Sequence, residues 1–322
     1  MSKTVLIDLK TGNALERITR IIVNGGIAAV PTETVYGLAA DASNGEAVAS
    51  IFEAKGRPRF NPLICHVSSF TMAERIAKFD LMSRKLADRF WPGPLTLVLP
   101  AQMGGGLHPL VLGGLTTVAV RMPQGPLRQV IEAVGRPIAA PSANRSGRVS
   151  PTTAAHVLST LDDRIDAVVD GGPTSHGLES TIVRATEDRV VLLRPGTITQ
   201  ADLEHASGWP VVRRRESDAI DAPGQMLSHY APLGRVRLDA KSPEPGEYWI
   251  GFGPETVSDL EKAGGRLNLS PTGDLREAAA SLFAALSTFD SPFIERIAVA
   301  PIPNDGLGEA INDRLRRAAA ER

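Results

Sequence analysis

Residues 48–67 read VASIFEAKGRPRFNPLICHV, and they indicate the fold class because a helix, a tight basic turn and a strand follow one another directly. Val48, Ile51 and Phe52 recur at the spacing of one helix face. After the proline-rich turn, residues 62–67 form a short apolar run of strand length. Helices that alternate with buried strands are typical of α/β domains.

The same alternation extends in both directions from this stretch. Leu15, Ile18 and Ile22 predict a helix before a strand at 27–31, and Thr71 with Glu74 predicts a capped helix start. Further strands are predicted at LTLVLP (95–100), TVAVR (117–121), PIAAP (137–141), DAVVD (166–170), STIVR (180–184) and RVVLL (189–193). This number of strands predicts an α/β domain with a large twisted sheet.

The alternation stops at residues 206–232, where charge, proline and glycine mix without periodicity, and this predicts a linker. The alternation of strands and helices then restarts. Strands are predicted at RVRLD, EYWIGF, RLNLS and ERIAVAP. Helices are predicted near 255–263, from 274 to about 289, and from about 307. We therefore expect a large α/β domain at 1–205, a linker at 206–232 and a small domain with a Rossmann-like parallel sheet at 233–322.

Composition excludes several classes of function. The 322 residues carry 35 Lys and Arg against 36 Asp and Glu, so the chain has no general attraction to nucleic acid or anionic membranes. The single Cys65 rules out an intramolecular disulfide and a cysteine-built zinc site. The sequence has no P-loop, GxGxxG or HExxH motif. We also find neither an export signal nor a membrane span, which predicts a cytoplasmic protein.

Cys65 and His66 are neighbours in sequence and resemble a thiol nucleophile beside its base. Adjacent residues on a strand point to opposite faces of the sheet, so the two side chains cannot meet if residues 62–67 form a strand. Two interpretations of His66 remain: a core histidine that a backbone carbonyl satisfies, or a residue that faces a ligand.

Lys55, Arg57 and Arg59 gather three cations in one turn, which taken alone is typical of a solvated basic loop. Hydroxyl, amide and guanidinium groups also lie beside other predicted strands, in PTETVYG (31–37), PSANRSGRVS (141–150), GLESTIV (177–183) and LLRPG (192–196). In α/β sheets such loops can meet at one crevice. Cations and hydrogen-bond donors gathered in this way suit a polyanion such as a triphosphate.

These motifs, in their order along the chain, resemble a known family. KGRPRFNPLICHV, PTETVYGL, WPGPLTLVL, TVAVRMP, IAAPSAN, GLESTIV and LLRPG are similar to the YrdC-like domain of the threonylcarbamoyl-adenylate synthases. GQMLSHYAP (224–232) and IPNDGLGEAINDRLRRAA (302–319) resemble the two-domain form of that family. The resemblance therefore implies an N-terminal YrdC-like domain and a small C-terminal domain.

The resemblance implies a nucleotidyltransferase that makes threonylcarbamoyl-AMP and pyrophosphate from L-threonine, bicarbonate or CO2, and ATP. The positions implied to be catalytic are Lys55, Arg57, Ser142 and Asn144. Those implied to bind ATP are Arg57, Asn61, Thr117, Ser142, Ser150, Arg194 and Tyr230. Those implied to surround the threonine are Thr34, His66, Arg121, Ala140 and Ser180.

Cofactor and partners are implied in the same way. Mg²⁺ is expected to be held mainly by the ATP phosphates, without a metal site built from protein ligands. The product is expected to pass to the machinery that forms N6-threonylcarbamoyladenosine at position 37 of tRNA, without stable nucleic-acid binding or membrane contact. The segment that contains Tyr230 is expected to act as an active-site lid.

Two other functions compete with this interpretation. An RNA-binding module without turnover would bind tRNA in a salt-dependent manner, although the net charge of −1 and an aromatic content of 5% argue against one. A carbamoyltransferase of the hydrogenase-maturation type carries a related domain. That class also needs cysteine-rich zinc segments, which one cysteine cannot supply.

Overall fold

The computed structural model describes residues 3–214, 228–254 and 258–321, which form a large mixed sheet and a small parallel sheet with helices packed around them. The strands of the large sheet are β1 Val5–Asp8, β2 Ala28–Pro31, β3 Tyr36–Asp41, β4 Ile64–His66, β5 Leu95–Pro100, β6 Thr117–Arg121, β7 Ile138–Ala139, β8 Ala167–Asp170, β9 Thr181–Ala185, β10 Val190–Arg194 and β11 Val211–Arg213. The helices around it are α1 Ala14–Val23, α2 Gly45–Lys55, α3 Phe70–Ile76, α4 Leu81–Phe90, α5 Pro109–Leu112, α6 Pro126–Val134, α7 Ala154–Leu161 and α8 Gln200–Ser207.

The large sheet has the strand order β1-β8-β2-β3-β7-β4-β6-β5-β9-β10-β11. Strand β4 pairs in parallel with β6, so that His66 lies opposite Arg121. On the other side of β6, Thr96 of β5 lies opposite Arg121, and β5 continues in parallel to β9. The register therefore brings the basic turn, the TVAVR strand and the GLESTIV strand side by side.

Alternation along these strands separates two faces of the sheet. Cys65 and Val120 point into the main core, which the surrounding helices cover. Ile64, Ala119 and Ile182 point to the other face and form a small apolar cluster there. That second face is the floor on which the candidate site lies.

The second domain is built on the four parallel strands β12 Arg235–Arg237, β13 Tyr248–Gly251, β14 Gly265–Asn268 and β15 Arg296–Val299, in the order β12-β15-β13-β14. Its helices are α9 Leu275–Thr288 and α10 Leu307–Ala319, with a 3₁₀ turn at Leu260–Lys262. All of its strand pairs are parallel, as expected.

The two domains pack against each other through a shared core. Val35, Val149 and Leu178 of the first domain join the buried residues of α9 and α10. The carbonyl of Ala280 approaches Gly177 so closely that a Cβ on Gly177 would lie 2.4 Å from its oxygen. No side chain fits at Gly177, so this contact fixes how the second domain meets the GLESTIV segment.

The predicted α/β fold with a large sheet is confirmed, and Cys65 and His66 lie on opposite faces as expected.

Several local predictions are wrong. Strands β1 and β3 were not predicted, and β11 forms within the predicted linker because its residues pair with β10. The cap of α3 is Ser69, whose hydroxyl accepts from the backbone N–H of Met72, and not Thr71. The helix expected near 255–263 is only the 3₁₀ turn in its described part, and residues 215–227 of the linker lie outside the described residues.

Within the described ranges, no helix combines the length and the apolar character that crossing a bilayer requires.

Candidate active site

A cavity between the sheet face and the second domain collects most of the residues that the sequence singled out. The predicted residues that line it are Thr34, Arg57, His66, Arg121, Ala140, Ser142, Ser180, Arg194 and Tyr230. They come from separate loops and strand ends that the register of the large sheet brings together. The roles assigned to them remain predictions, but their convergence on one cavity is an observation.

One end of the cavity is built around Arg121 at the end of β6. Its Nη1 donates to the hydroxyl of Thr34 at 2.9 Å, and its Nε donates to the carbonyl of Gly93 at 3.2 Å. Its Nη2 forms a buried ion pair with Glu33 at 2.6 Å. Because the ion pair with Glu33 holds Nη2, the plane of the guanidinium is fixed with Nη1 directed at Thr34. Sequence reasoning missed Glu33, although it lies inside PTETVYG.

His66 lies opposite Arg121 on β4 and lines the same end. Burial and the nearby charge of Arg121 lower the pKa of His66 to about 3, so the imidazole is neutral at physiological pH. Its Nδ1 is buried and has no hydrogen-bond partner within the described residues. The buried Nδ1 faces a cavity without a hydrogen-bond partner among the described residues, so this nitrogen is available to a ligand.

Cys65 does not take part in this site. It lies in the main core, and burial raises the pKa of its thiol to about 12. The thiol is therefore protonated and unreactive at neutral pH.

The other end of the cavity carries two buried guanidinium groups. Arg57 Nη2 donates to Asn61 Oδ1 at 2.6 Å and to the carbonyl of Pro62 at 2.9 Å. Arg194 donates through Nε and Nη2 to the carbonyl of Ser180, at 3.1 and 2.9 Å. These partners are neutral, so they orient each guanidinium without cancelling its charge.

The electrostatics at this end favour an anion. Burial lowers the pKa of Arg57 to about 10 and also lowers that of Arg194, yet arginine remains charged at neutral pH. Holding two cations in a water-poor cavity is costly, and a bound phosphate would relieve that cost through charge-assisted hydrogen bonds. Two of the three cations of the basic turn, Lys55 and Arg57, are therefore buried, whereas Arg59 is exposed to solvent.

Lys55 and Asn144 do not line the cavity. Lys55 Nζ donates to the carbonyls of Ser142 and Asn144, at 2.6 and 2.5 Å, and burial holds its pKa well below the ordinary value. The carbonyl of Lys55 in turn accepts from the backbone N–H of Ser146 at 2.8 Å. In this structure Lys55 ties the basic turn to the PSAN loop, which orients Ser142 toward the cavity.

Three other predicted nucleotide contacts lie outside the cavity lining. Asn61 accepts from Arg57 Nη2 through its Oδ1, and Ser150 donates to Glu179 at 2.5 Å. Thr117 begins β6 whereas Arg121 ends it, a separation of about 13 Å at roughly 3.3 Å per residue. A ligand that contacts both Thr117 and Arg121 would have to extend along the sheet face.

Comparison with known proteins places the chain in a family. Residues 20–196 match the Sua5/YciO/YrdC family model, described as "Telomere recombination", and residues 198–320 match "Threonylcarbamoyl-AMP synthase, C-terminal domain". The chain belongs to the threonylcarbamoyl-AMP synthase family. This confirms the resemblance and its two-domain form.

Individual members of the family are similar over nearly the whole chain. The threonylcarbamoyl-AMP synthase of Bacillus subtilis is 42% identical over 92% of this chain and 90% of its own. That of Pyrococcus abyssi is 40% identical over 94% and 92%. The crystal structure of P. abyssi Sua5 complexed with L-threonine superposes with a TM-score of 0.88 at 36% identity, covering 99% of this chain and 98% of that one.

Sequence reasoning missed Glu179 and Arg314, which the structure brings together beside the cavity. Glu179 lines the cavity, and its Oε2 pairs with Arg314 Nε of α10 at 2.9 Å. The Arg314 side chain is 0% exposed. Burial would raise the pKa of Glu179, but the charges of Arg314 and Arg194 and the Ser150 hydroxyl hold it below the ordinary value. A carboxylate of the first domain thus depends on a cation of the second.

His229 and Tyr230 form the wall of the cavity that lies between the domains. The Tyr230 ring packs 5.4 Å from Phe283 of α9, with the Arg314 guanidinium 5.3 Å from its centre. The Tyr230 backbone has a φ of 62°, and the next N–H, of Ala231, donates to the carbonyl of Gly147 at 2.9 Å. The wall leaves a cavity of about 50 Å³. Small-molecule sites usually measure about 300–1,000 Å³, so the described state is closed.

Proposed function

We propose that this protein is an L-threonylcarbamoyladenylate synthase, which makes threonylcarbamoyl-AMP and pyrophosphate from L-threonine, bicarbonate or CO2, and ATP. One observation carries the proposal: a single cavity has Arg57 and Arg194 at one end and the Thr34–Arg121 pair with neutral His66 at the other. The first end suits a triphosphate, and the second suits a small amino acid. The names of the similar proteins agree with this chemistry.

At the amino-acid end, Arg121 is assigned to the threonine carboxylate. Its guanidinium can donate two parallel hydrogen bonds to a carboxylate, which fixes position as well as charge. Thr34 and Ala140 complete the lining of this end, and Ser180, whose carbonyl and hydroxyl accept from Arg194, connects it to the phosphate end. The nearby neutral His66 adds no positive charge, so the threonine amine can be held in its unprotonated form.

The reaction then needs two bond-forming steps. The amine nitrogen attacks the carbon of CO2, loses a proton and gives a carbamate. A carbamate oxygen attacks the α-phosphorus of ATP, the bond from that phosphorus to the bridging oxygen breaks, and pyrophosphate leaves with the electron pair. Arg57 and Arg194 stabilise the charge that develops on the phosphates, with Ser142 as a hydrogen-bond donor.

Lys55 and Asn144 act in this proposal through the loop they hold. Lys55 donates to two carbonyls of the PSAN segment, so its removal would let that segment move away from the cavity. No covalent protein nucleophile is required, because the carbamate itself attacks ATP.

Mg²⁺ is proposed to enter with ATP and to be held mainly by its phosphates. Among the cavity-lining residues within the described ranges, the carboxylate is that of Glu179, and Ser150 and Arg314 already engage its two oxygens. When bound, the ion would neutralise phosphate charge beside Arg57 and Arg194.

The direct test is to incubate the purified protein with ATP, L-threonine and bicarbonate and to measure pyrophosphate. We expect pyrophosphate release that requires threonine, and a product that yields threonylcarbamoyl-AMP on mass analysis. Salt-dependent tRNA binding without any threonine-dependent pyrophosphate would instead favour an RNA-binding module. The product is proposed to pass, in the cytoplasm, to the tRNA threonylcarbamoyl-transfer machinery.

The Arg121→Lys variant tests the assignment at the amino-acid end. Lysine keeps the charge but cannot hold Thr34 and a carboxylate with one planar group. We expect threonine affinity to fall about tenfold or more while ATP affinity changes little, since a charge-assisted hydrogen bond contributes about 1.5–3 kcal/mol. Separate calorimetric titrations of the two substrates measure this. Equal weakening of both would move Arg121 away from the amino acid.

The closed wall at His229 and Tyr230 is proposed to be a lid, because substrates the size of ATP cannot enter a cavity of about 50 Å³. Closing it would keep water from hydrolysing the adenylate. In Tyr230→Ala, we expect more free AMP per threonylcarbamoyl-AMP recovered, measured by chromatography of the products.

A matched control for this variant is Tyr248→Ala, which removes a tyrosine that packs 5.0 Å from Phe289, away from the cavity. The product ratio of the control should equal that of the unmodified protein. If Tyr230→Ala also gave the unmodified protein's ratio of free AMP to threonylcarbamoyl-AMP, the wall would not protect the product.

A further inference from the structure

The second domain contains a cavity of its own, separate from the candidate active site and of about 210 Å³. It opens at the carboxyl ends of the adjacent strands β12 and β15, and α10 closes one side. Its floor is aliphatic, with Val299, Ile302 and Leu315. Ligands of parallel sheets commonly bind at this edge. The proposed reaction assigns no role to this cavity, although the IPNDGLGEAINDRLRRAA motif forms much of it.

Two opposite charges line this cavity without neutralising each other. Asp239 follows β12, and Arg316 lies on α10. Within the described ranges, neither side chain lies within the 4.0 Å of an opposite charge that defines an ion pair. The amides of Asn304 and Asn312 complete the polar part of the lining. A cavity with one anionic group, one cationic group and an aliphatic floor matches a small zwitterion.

The wall of this cavity is built rigidly. Asn312 Nδ2 donates to the carbonyl of Ile302 at 3.0 Å and to Asn304 Oδ1 at 3.2 Å, which fixes the loop between β15 and α10. Pro303 packs so closely on Gly308 that a Cβ there would lie 1.8 Å from its carbonyl oxygen. Asp239 has a φ of 53°, a left-handed conformation that is uncommon outside glycine and often occurs at functional sites.

We propose that the second domain binds a small α-amino acid with an aliphatic side chain at this cavity. The ligand carboxylate pairs with Arg316, the ammonium pairs with Asp239, and the side chain lies on Ile302 and Leu315. Asp239 would repel a simple anion bound in this cavity, and Arg316 would repel a simple cation. This site is independent of the proposed reaction.

The test is isothermal titration calorimetry of the full chain with L-valine, L-leucine and L-isoleucine. At least one of them should bind saturably. Asp239→Asn and Arg316→Gln should each weaken that binding about tenfold or more, corresponding to the loss of about 1.4 kcal/mol. Both side chains are exposed, so both variants should fold.

Modified ligands give a second and independent readout. The methyl ester of the bound amino acid lacks the carboxylate, and its N-acetyl form lacks the ammonium. The ester should bind the unmodified protein weakly, and Arg316→Gln should bind the ester and the free acid alike. Asp239→Asn should likewise fail to distinguish the N-acetyl form from the free amine.

Arg121→Lys, which keeps the charge beside Glu33, separates this site from the candidate active site, because it should leave the binding heat of the aliphatic amino acid unchanged. Three results would each overturn the proposal. These are no saturable binding of any of the three amino acids at millimolar concentration, binding that survives both variants of the second domain, and binding that a folded Arg121→Lys variant weakens about tenfold.

Discussion

Replacing Arg57 with alanine should slow threonine-dependent pyrophosphate release by about 10²-fold or more, the scale on which losing one preorganised charge donor slows an enzyme. Arg57 is one of two buried guanidinium groups at the phosphate end of the cavity, and its neutral partners Asn61 and Pro62 leave its charge available. The measurement is initial pyrophosphate release at saturating ATP. Threonine binding should persist, because Arg121 and His66 lie at the other end.

The matched control for this prediction is Arg59→Ala, which removes an exposed arginine from the same turn. It should keep near-normal turnover, since a solvated charge outside the cavity contributes little. Thermal unfolding of both variants separates a catalytic loss from a folding defect. Near-normal pyrophosphate release by a folded Arg57→Ala variant would contradict the assignment of the basic turn to the phosphates.

Replacing Arg314 with methionine should cost about 3–5 kcal/mol of unfolding free energy, because it leaves the buried carboxylate of Glu179 without its main partner. Turnover should fall as well. Glu179 lines the cavity, and Arg314 also packs against the Tyr230 ring. Denaturant unfolding measures the first effect, and pyrophosphate release measures the second.

Two control variants make this prediction specific. Arg20→Met breaks an arginine–glutamate pair of similar distance, 2.5 Å, but with both side chains 68% exposed, and should cost less than about 1 kcal/mol. Adding Glu179→Gln to Arg314→Met removes both buried charges and should restore part of the lost stability. A loss in Arg314→Met no larger than in Arg20→Met would show that the buried pair is not a link between the domains.

The loss of unfolding free energy in Arg314→Met should depend on pH. The folded-state pKa of Glu179 lies below its ordinary value of 4.5, so its ionised form stabilises the fold above that pH. This stability is lost as the pH falls through the folded-state pKa. The difference between the unmodified protein and Arg314→Met should therefore shrink as the pH falls through 4.5 toward the lowered folded-state pKa, and unfolding curves at several pH values measure it.

Local pattern was enough to predict much of the fold. Helix α9 was expected from Asp274 to about Phe289, and the structure caps it at those two residues, because the Asp274 side chain accepts two backbone N–H groups. By contrast, β11 has only three residues, and β3 begins at Tyr36, inside the polar PTETVYG segment. Such short or polar strands form because a neighbouring strand supplies their hydrogen bonds, and local periodicity does not contain that information.

The sequence by itself determined the alternation of helices and strands, the opposite faces of Cys65 and His66, and the ordered motifs that identify the family. All of these follow from spacing along the chain. Only the tertiary structure decided that Lys55 turns to the carbonyls of the PSAN loop, and that Glu33 and Glu179 pair with Arg121 and Arg314. Glu179 and Arg314 are 135 residues apart, and such a pair is set by how two domains pack, which no local spacing encodes.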